Sequence, residues 1–440
     1  MIVMKFGGSC LDTPDDVRRM VGIIKSEEKH QPKIVLSAFK GITDQLVAQA
    51  NSARDGKFDI EPIERKHRQI LDNLPASIGT SVEARVTELL DDLHHTLTAV
   101  SYLRELTPST MDKIVTFGER LAIHAASGYM TEANLKSKPL SGIEAGILTN
   151  SNFGNATILD KSSELVRERV GSTHVALIAG YFGHDEAGRI ATLGRGASDY
   201  IASYVASALG CECVLYKDVD GIMTADPKMV KNAKLVARIN YPTAIELARY
   251  GSKVLFEKAV YPAMKKNLPI RLRNFLSPGI GTVITKEGSA QVISSMRNIV
   301  MIDVREMAGL SSIATMLEQF GSASADDPVT ITRASRNDIS LVTVERGAEA
   351  VVRSTKRLGD DVQVEIKNGL GLVAIVGSNL GIPQVYESLQ REKIQSHAVV
   401  KTASGRSILV VVDANDAERT TRVMHDRLEL GFLLGRSNSD

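Results

Sequence analysis

The sequence contains no tryptophan, only three cysteines and no long uninterrupted apolar run. Cys10, Cys211 and Cys213 are too few for a disulfide framework or a zinc cluster, and the last two do not have the spacing of a redox CxxC motif. This cysteine usage is typical of a reducing compartment. No segment approaches the roughly 18 apolar residues of a membrane span, and the N-terminus has no basic leader region. We therefore expect a soluble, cytoplasmic protein.

A charge excess of one sign is also absent. The 440 residues include 53 basic and 52 acidic side chains, for a net charge of +1. Without a broad basic field, neither nucleic acid nor an anionic membrane is an expected partner, and any cationic site must be local. A chain of this length predicts two or three domains.

Short apolar runs alternate with helical patterns up to about residue 287, which indicates an α/β layer. The first helix has clear start signals, with Thr13 as the candidate N-cap and Pro14 at the first helical position. Residues 55–110 have apolar positions at helical spacing and predict a helical excursion from the sheet. The predicted buried strands are Ile2–Phe6, Ile34–Ser37, Val175–Ala179 and Cys213–Tyr216.

After a short polar stretch at 288–298 the pattern changes to an approximate internal duplication. Each copy of about 70 residues reads strand, glycine turn, helix, strand, turn, strand, which is a small α+β unit. The matching positions are Gly309, Leu310, Ile313 and Leu317 with Gly381, Ile382, Val385 and Leu389, and Ala334, Ser335 and Ile339 with Ala403, Ser404 and Ile408.

Two glycine-rich turns are suited to hold anions. In TLGRGASD (192–199), Arg195 and a glycine turn precede a predicted helix that opens with Ser198 and Asp199. A helix N-terminus offers unpaired N–H groups and a partial positive charge, and an arginine adds a planar fork for a carboxylate or phosphate. Gly7 and Gly8 follow a strand that carries Lys5. Two such cradles fit two anionic partners, as phosphoryl transfer to an acid requires.

The P-loop, the GxGxxG fingerprint and the protein-kinase motifs are missing. Six blocks occur instead: KFGGSCL (5–11), SAFKGITD (37–44), TFGERLA (116–122), TLGRGASDY (192–200), KDVDGIMTADPK (217–228) and YGSKVL (250–255). This ordered set closely resembles the aspartokinases, enzymes of the amino-acid-kinase fold that phosphorylate the side-chain carboxylate of aspartate with ATP. The duplicated tail resembles the pair of ACT domains of that family.

The resemblance implies a three-layer α/β sandwich of the amino-acid-kinase type, followed by two ACT-like α+β domains. The expected segments are a catalytic domain at 1–287 and ACT-like domains at 299–366 and 367–440. In the family the second ACT unit can be inserted within the first, so these are bounds along the chain.

The resemblance also implies site residues. Lys5 is expected to contact the transferred phosphoryl group, and Gly7, Gly8 and Ser9 to approach the phosphates. Around aspartate it places Ser37, Thr43, Glu119, Arg195 and Ser198, with Glu119 on the ammonium and Arg195 on the α-carboxylate. The attacking carboxylate is already ionised at neutral pH, so Asp199 is expected to position Lys5 or metal-bound water and not to act as a base.

By the same resemblance, the ATP pocket is lined by Lys217, Asp218, Met223, Lys228 and Lys253. ATP and Mg²⁺ are the implied cofactors, and no protein metal ligands are assigned. Met223 and Lys228 depart from the aromatic residue and the arginine common in the family, which predicts weaker ATP binding. The other departures are Cys10 and the segment Phe256–Ala259.

Structural alternatives remain for several of these residues. Lys5 can simply be a lysine beside a glycine turn, Glu119 can be a surface carboxylate paired with Arg120 or Arg104, and Ser37 and Thr43 can be turn hydroxyls. Asp199 suits any helix start. Asp220, Gly221, Asp226 and Pro227 can be turn formers only.

The tail is expected to receive lysine or threonine as feedback effector, the alternative being a dimerisation module that binds nothing. Met307–Gly309 and Arg336–Ser340 are the expected effector region, and a homodimer or homotetramer is the expected assembly. Three other functions are alternatives to this one. A sister kinase for glutamate, acetylglutamate, carbamate or UMP fits Arg195 and Glu119 less well, and an inactive sensor has no use for Lys5, Asp199, Arg195 and Lys253. A fusion with homoserine dehydrogenase is not expected for a sequence of this length without a dinucleotide fingerprint.

Overall fold

The computed structural model describes residues 1–252, 254–277, 279–323, 329–356, 362–377 and 381–435. Its strands are β1 Ile2–Phe6, β2 Pro32–Leu36, β3 Lys138–Leu140, β4 Ala176–Ala179, β5 Phe182–His184, β6 Ile190–Thr192, β7 Glu212–Lys217, β8 Arg238–Asn240, β9 Ile270–Asn274, β10 Thr282–Thr285, β11 Val292–Arg305, β12 Thr330–Ala334, β13 Ile339–Val344, β14 Gln363–Val376, β15 Ser396–Lys401 and β16 Ser407–Asp413.

The helices are α1 Pro14–Ser26, α2 Ile42–Arg54, α3 Glu61–Leu71, α4 Ala76–Leu103, α5 Pro108–Val115, α6 Phe117–Glu132, α7 Ser162–Arg169, α8 Ala197–Leu209, α9 Tyr241–Arg249, α10 Glu257–Lys266, α11 Leu310–Ala323, α12 Glu345–Thr355, α13 Ile382–Arg391 and α14 Ala417–Gly435. The chain divides into two compact units. The first is Met1–Ile222 with Val254–Lys286, and the second is Met223–Lys253 with Glu287–Asp440.

The first unit is built on a mostly parallel sheet in the order β3-β4-β2-β1-β7-β9-β10, in which only β10 runs antiparallel to its neighbour β9. Helices α1 and α6 lie on one face, with α2 to α5 stacked outside them, and α7, α8 and α10 lie on the other. β1 and β2 are buried along their whole length, as expected of central parallel strands. The carboxyl ends of β1, β2 and β7 therefore meet at one edge of the sheet.

Local signals explain the boundaries that the sequence predicted well. β1 has the predicted bounds. α1 begins at Pro14 with a capping box, because the Thr13 hydroxyl accepts from the Asp16 N–H and the Asp16 side chain accepts from the Thr13 N–H. The helical excursion predicted at 55–110 is present as α3 and α4.

The second unit confirms the internal duplication. Its six-stranded sheet has the order β12-β13-β11-β14-β16-β15, so two copies of the same strand, helix, strand, strand, helix unit meet through the antiparallel pair β11 and β14. β14 runs across the expected boundary between residues 366 and 367. The segment 223–253 also packs in this unit, because Ala225 and Val230 share a core with Ile293 and Val373.

None of the helices in the described part of the chain combines the length and the apolar character needed to cross a bilayer. Cys10, Cys211 and Cys213 are all free thiols.

Candidate active site

A buried carboxylate joins two lysines at the carboxyl edge of the sheet. Lys5 in β1 places its Nζ 2.6 Å from Oδ1 of Asp199, and Lys217 at the end of β7 places its Nζ 2.5 Å from Oδ2. The side chains of Lys5 and Asp199 are only 7% and 3% exposed. Since β1 and β7 are adjacent parallel strands, Asp199 in the first turn of α8 spans both strand ends.

The charge state of this group follows from its neighbours. Burial by itself would raise the pKa of Asp199, but the ammonium groups of Lys217 and Lys5 outweigh it and hold the pKa at about 2. Burial lowers the pKa of Lys5, and the Asp199 carboxylate opposes that effect. Asp199 is therefore ionised at neutral pH and sustains the positive charge on Lys5.

The turns after β1 and β2 lie against each other. The Ser37 N–H donates to the Phe6 carbonyl at 3.2 Å, and the Lys40 N–H donates to the Leu11 carbonyl at 3.0 Å. A Cβ on Gly7 would lie 3.1 Å from Lys5 Nζ, and one on Gly8 would lie 3.1 Å from the Ala38 carbonyl oxygen. Glycine is thus the residue that leaves room for the ammonium and for the second turn. Near these turns Ser9 is exposed, whereas Ser37 and Thr43 are half-buried.

Glu119 lies in the first turn of α6 and is 3% exposed. Burial raises the pKa of its carboxyl group to about 8, against the opposing effects of the Ala38 N–H and of the Lys5 charge. Its Oε2 has no hydrogen-bond partner among the described residues. The alternative of a surface ion pair is wrong, because Arg104 donates to the Asp55 carbonyl at 2.8 Å and Arg120 lies over the Phe117 ring. A buried, unpartnered carboxyl oxygen suits a ligand ammonium.

The turn between β6 and α8 presents Arg195 to solvent. Gly194 and Gly196 have φ of +81° and +70°, the left-handed region that favours glycine. Arg195 is exposed, and within the part of the chain that the structure describes it makes no ion pair. Ser198 is buried in the first turn of α8. A Cβ on Gly196 would lie 2.2 Å from the Phe256 ring. The segment Phe256–Ala259, which differs from the usual family pattern, therefore packs directly on this turn.

Sequence reasoning missed Asp112. This buried carboxylate in α5 accepts from the Thr192 N–H at 2.7 Å, the Thr192 hydroxyl at 2.8 Å and the Gly154 N–H at 2.9 Å. Thr192 ends β6, so Asp112 fixes the start of the turn that carries Arg195. The available signal was an acidic residue three positions before Val115, which is buried on the same short helix.

Tyr181 was also missed, and no sequence signal marks it. It has a φ of +78°, which is unusual for a residue with a side chain and is found at functional sites. Burial, followed by the nearby charges of Glu119 and Asp112, raises the pKa of its hydroxyl to about 12. Its carbonyl accepts from the Leu193 N–H at 3.0 Å, so it supports the Arg195 turn as well.

We expect Asp112→Asn to loosen the Arg195 turn. The amide replaces one acceptor oxygen by a donor that faces the donors of Thr192, and an unsatisfied buried polar group costs roughly 1 to 3 kcal/mol of unfolding free energy. The KM for aspartate should rise about tenfold while the KM for ATP changes little. Denaturant unfolding and steady-state kinetics measure both, and an unchanged KM for aspartate would contradict this positioning role.

The expected nucleotide residues that the structure describes fall in both units of the chain. Lys217 contacts Asp199, and Asp218 follows it at the exposed end of β7. Met223 and Lys228 belong to the second unit. Met223 is half-buried and forms an isolated β-bridge with Leu235, and Lys228 is exposed. Lys253 lies outside the described residues.

Comparisons with known proteins identify the family. The sequence pattern of the amino acid kinase family matches residues 1–274. An aspartokinase from Bacillus sp. (strain MGA3) is 30% identical over 80% of this chain and 89% of the relative. The chloroplastic aspartokinase 2 of Arabidopsis thaliana is 28% identical over 96% of this chain and 83% of the relative.

Solved structures show the same fold. Aspartokinase III of E. coli, crystallised with aspartate and ADP in the R-state, superposes with a TM-score of 0.82 at 24% identity, covering 97% of this chain and 99% of that one. Its T-state complex with lysine and aspartate gives 0.77 over the same shares. By its sequence pattern, its relatives and its fold, the chain belongs to the aspartokinase branch of the amino acid kinase family and is an aspartate kinase.

Proposed function

We propose that Lys5, Asp199 and Lys217 form the phosphoryl-transfer centre of this aspartate kinase. The side-chain carboxylate oxygen of aspartate attacks the γ-phosphorus of ATP, a new P–O bond forms, the bond to the β-phosphate oxygen breaks, and ADP leaves with the electron pair. No proton needs to be removed, since the attacking carboxylate is ionised at neutral pH. The observation that carries the proposal is the bridge of Asp199 between two lysines beside the Gly7–Gly8 turn.

The charges of the site fit this reaction. Two anionic substrates at about 4 Å repel each other by about 4 kcal/mol at an effective dielectric constant of 20, so fixed cations must oppose that repulsion. Lys5 and Lys217 are two such cations, held by Asp199 before the substrates arrive. Phosphoryl transfer depends mainly on positioning and charge neutralisation, which is what a preformed ion group provides.

For aspartate, we propose that Glu119 receives the ammonium and Arg195 the α-carboxylate, with Ser37, Thr43 and Ser198 as hydroxyl contacts. The unpartnered Oε2 of Glu119 and the exposed Arg195 support these roles. For ATP, Gly7, Gly8 and Ser9 would approach the phosphates, and Lys217, Asp218, Met223, Lys228 and Lys253 would line the rest of the pocket.

We propose that Mg²⁺ is bound by the nucleotide. Both oxygens of Asp199 are committed to lysines, and the described residues contain no group of three acidic, histidine or cysteine side chains that could hold a metal ion. We therefore assign no protein ligand to the metal. Mg²⁺ commonly binds substrate phosphates and keeps several waters, so we propose the magnesium complex of ATP as the co-substrate.

The remaining proposals concern the tail, the assembly and the location. We propose 1–287 as the catalytic segment and 299–366 and 367–440 as ACT-like segments that take lysine or threonine as inhibitor in a homodimer or homotetramer. The duplicated sheet supports this, as does the lysine complex of E. coli aspartokinase III. A cytoplasmic enzyme in amino-acid biosynthesis fits the three free thiols.

The test is an ATP- and Mg²⁺-dependent hydroxamate assay with aspartate, glutamate and acetylglutamate as acceptors, repeated with added lysine and threonine. Hydroxylamine traps an acyl phosphate, so signal from aspartate alone is the expected result. Signal from another acceptor with none from aspartate would reassign the substrate. Flat activity across saturating effectors would favour the tail as an assembly module only.

A further inference from the structure

Asp12, directly behind the glycine turn, accepts hydrogen bonds from two lysines that are distant in sequence. Lys66 Nζ lies 2.6 Å from Oδ1 and 2.6 Å from the main-chain oxygen of Asp12, and Lys40 Nζ lies 2.8 Å from Oδ2. The hydrogen bonds of Lys40 and then Lys66 lower the pKa of the Asp12 carboxyl, which keeps it ionised. Every acceptor oxygen of this residue is therefore in use.

The two lysines belong to different parts of the site. Lys40 lies in the turn after β2, between Ser37 and Thr43, two of the proposed aspartate contacts. Lys66 lies on α3, in the helical excursion that the proposed mechanism does not otherwise use. Asp12 consequently ties the turn after β1, the turn after β2 and α3 to one point.

A second contact joins α3 to the turn after β2. His67, next to Lys66 on α3, packs its ring edge-on against Phe39, with 5.4 Å between the centroids. Both side chains are buried, and His67 Nδ1 donates to the Ile63 carbonyl at 2.7 Å. Burial lowers the pKa of His67 to about 4, so the ring is neutral and packs as an apolar group. α3 thus holds Asp12 by charge and Phe39 by packing.

We propose that Asp12 is a positioning residue for the phosphoryl transfer. Through Asp12, α3 holds the turn after β1 (7–12), which we assign to the phosphates, and the turn after β2 (37–42), which we assign to aspartate, at a fixed separation. We call the group Asp12, Lys40 and Lys66 the turn clamp. The inference rests on the proposed function, because it assigns the two turns to the two substrates.

The turn clamp matters because in-line transfer needs both reacting groups at a fixed separation, and a displacement of about 1 Å can cost up to 100-fold in rate. Isolated surface ion pairs contribute little stability. Here the carboxylate is 37% exposed and the Lys66 side chain 22%, and one carboxylate serves two cations. Its main effect is expected on the geometry of the turns and only a small one on folding.

The experiment compares Asp12→Ala, Lys66→Met, Lys40→Ala and the double variant Asp12→Ala/Lys66→Met with the full-length enzyme. Arg65→Gln is the matched control, because Arg65 makes an exposed ion pair with Glu61 on the same helix at 2.6 Å and touches neither turn. KM and kcat for both substrates come from the hydroxamate assay, and stability comes from thermal unfolding. Hydrogen exchange of the amides at 7–12 and 37–42 reports the order of the turns without activity.

We expect Asp12→Ala and Lys66→Met each to lower kcat/KM about tenfold for both substrates, and the double variant to be no worse than Asp12→Ala alone, since residues of one network are not additive. Lys40→Ala should raise mainly the KM for aspartate, by about threefold to fivefold. Exchange should speed up in both turns in Asp12→Ala, while Arg65→Gln resembles the wild type.

Unchanged kinetics and unchanged exchange in Asp12→Ala would overturn the clamp, and so would additive losses in the double variant. If Asp12→Ala does not fold, Lys66→Met and Asp12→Asn carry the same comparison. An inactive wild type would instead reject the proposed function, and the exchange measurement would still decide whether Asp12 orders the two turns.

Discussion

Asp199→Asn is expected to lower kcat by about 100-fold to 1,000-fold, in the range found when one group that stabilises transition-state charge is removed. In the wild type, the Asp199 carboxylate lies 2.6 Å from Lys5 Nζ and 2.5 Å from Lys217 Nζ. The amide of the variant offers these two lysines one acceptor oxygen and no charge. Burial already lowers the pKa of Lys5, and without Asp199 that pKa falls further. The positive charge on Lys5 is then lost at a lower pH than in the wild type.

The pH dependence distinguishes this role from a general base. Lys5 must be protonated to oppose the charge of the phosphoryl group, so activity falls as the pH rises through its pKa. In Asp199→Asn this fall should begin at a lower pH than in the wild type. A general base would instead show loss at low pH in the wild type and no such limb in the variant. The measurement is kcat between about pH 6 and 10.

Asp160→Asn is the control, because it removes the same charge from a fully exposed position of the same unit. Asp199→Asn should also unfold more easily, by roughly 3 to 5 kcal/mol, since removing one partner of a buried ion group leaves the other charge uncompensated. Wild-type turnover with a wild-type pH profile would remove Asp199 from the centre.

Glu119→Gln is expected to bind aspartate at least about 30-fold more weakly and yet to be more stable. The amide has the same shape but no charge for the substrate ammonium, and hydrogen-bonded charge pairs in closed sites are worth about 2 to 5 kcal/mol. Glu132→Gln, at the other end of the same helix, is the control. An unchanged KM for aspartate would place the ammonium elsewhere.

The gain in stability follows from the sign of the pKa shift. Burial raises the pKa of Glu119 from 4.5 in the unfolded chain to about 8 in the folded one, so folding favours the neutral carboxyl. Its contribution to stability is fully present below about pH 4.5 and is lost as the pH rises through 8. Near pH 8 the variant should therefore unfold with roughly 1 to 3 kcal/mol more free energy than the wild type.

The same shift predicts proton release on binding. At pH 7 the empty site holds Glu119 mostly protonated, and pairing with the substrate ammonium requires the carboxylate. Aspartate binding should then release about one proton, and the KM for aspartate should decrease as the pH rises from about 6.5 to 8.5. Calorimetry in two buffers of different ionisation enthalpy counts the proton. The KM of Glu119→Gln should be nearly independent of pH over this range.

Signals that act over a few residues could be predicted from the sequence. The apolar run Ile2–Phe6 became β1 with the same bounds, and Thr13 with Pro14 set the start of α1, because strand burial and helix capping depend on neighbouring residues. The duplication was visible for the same reason, since each copy repeats its own local pattern.

Pairings between distant residues could not be predicted. The resemblance assigned Lys217 to the nucleotide, and nothing local indicated its contact with Asp199, 18 residues away on another element. Asp112 contacts Thr192 across 80 residues. The position of 223–253 in the second unit is of the same kind, because apolar side chains such as Ala225 find their partners only when the chain has folded.

The sequence by itself determined the order of the motifs, the α/β fold of the N-terminal part and the duplicated tail. Through resemblance it also determined the reaction class. The tertiary structure decided the charge state of each group: Asp199 is ionised between two lysines, Glu119 is neutral because it is buried, and Asp12 is ionised between Lys40 and Lys66. The physical reason is that a pKa depends on burial and on charges within a few ångströms, and most of those neighbours are far away along the chain.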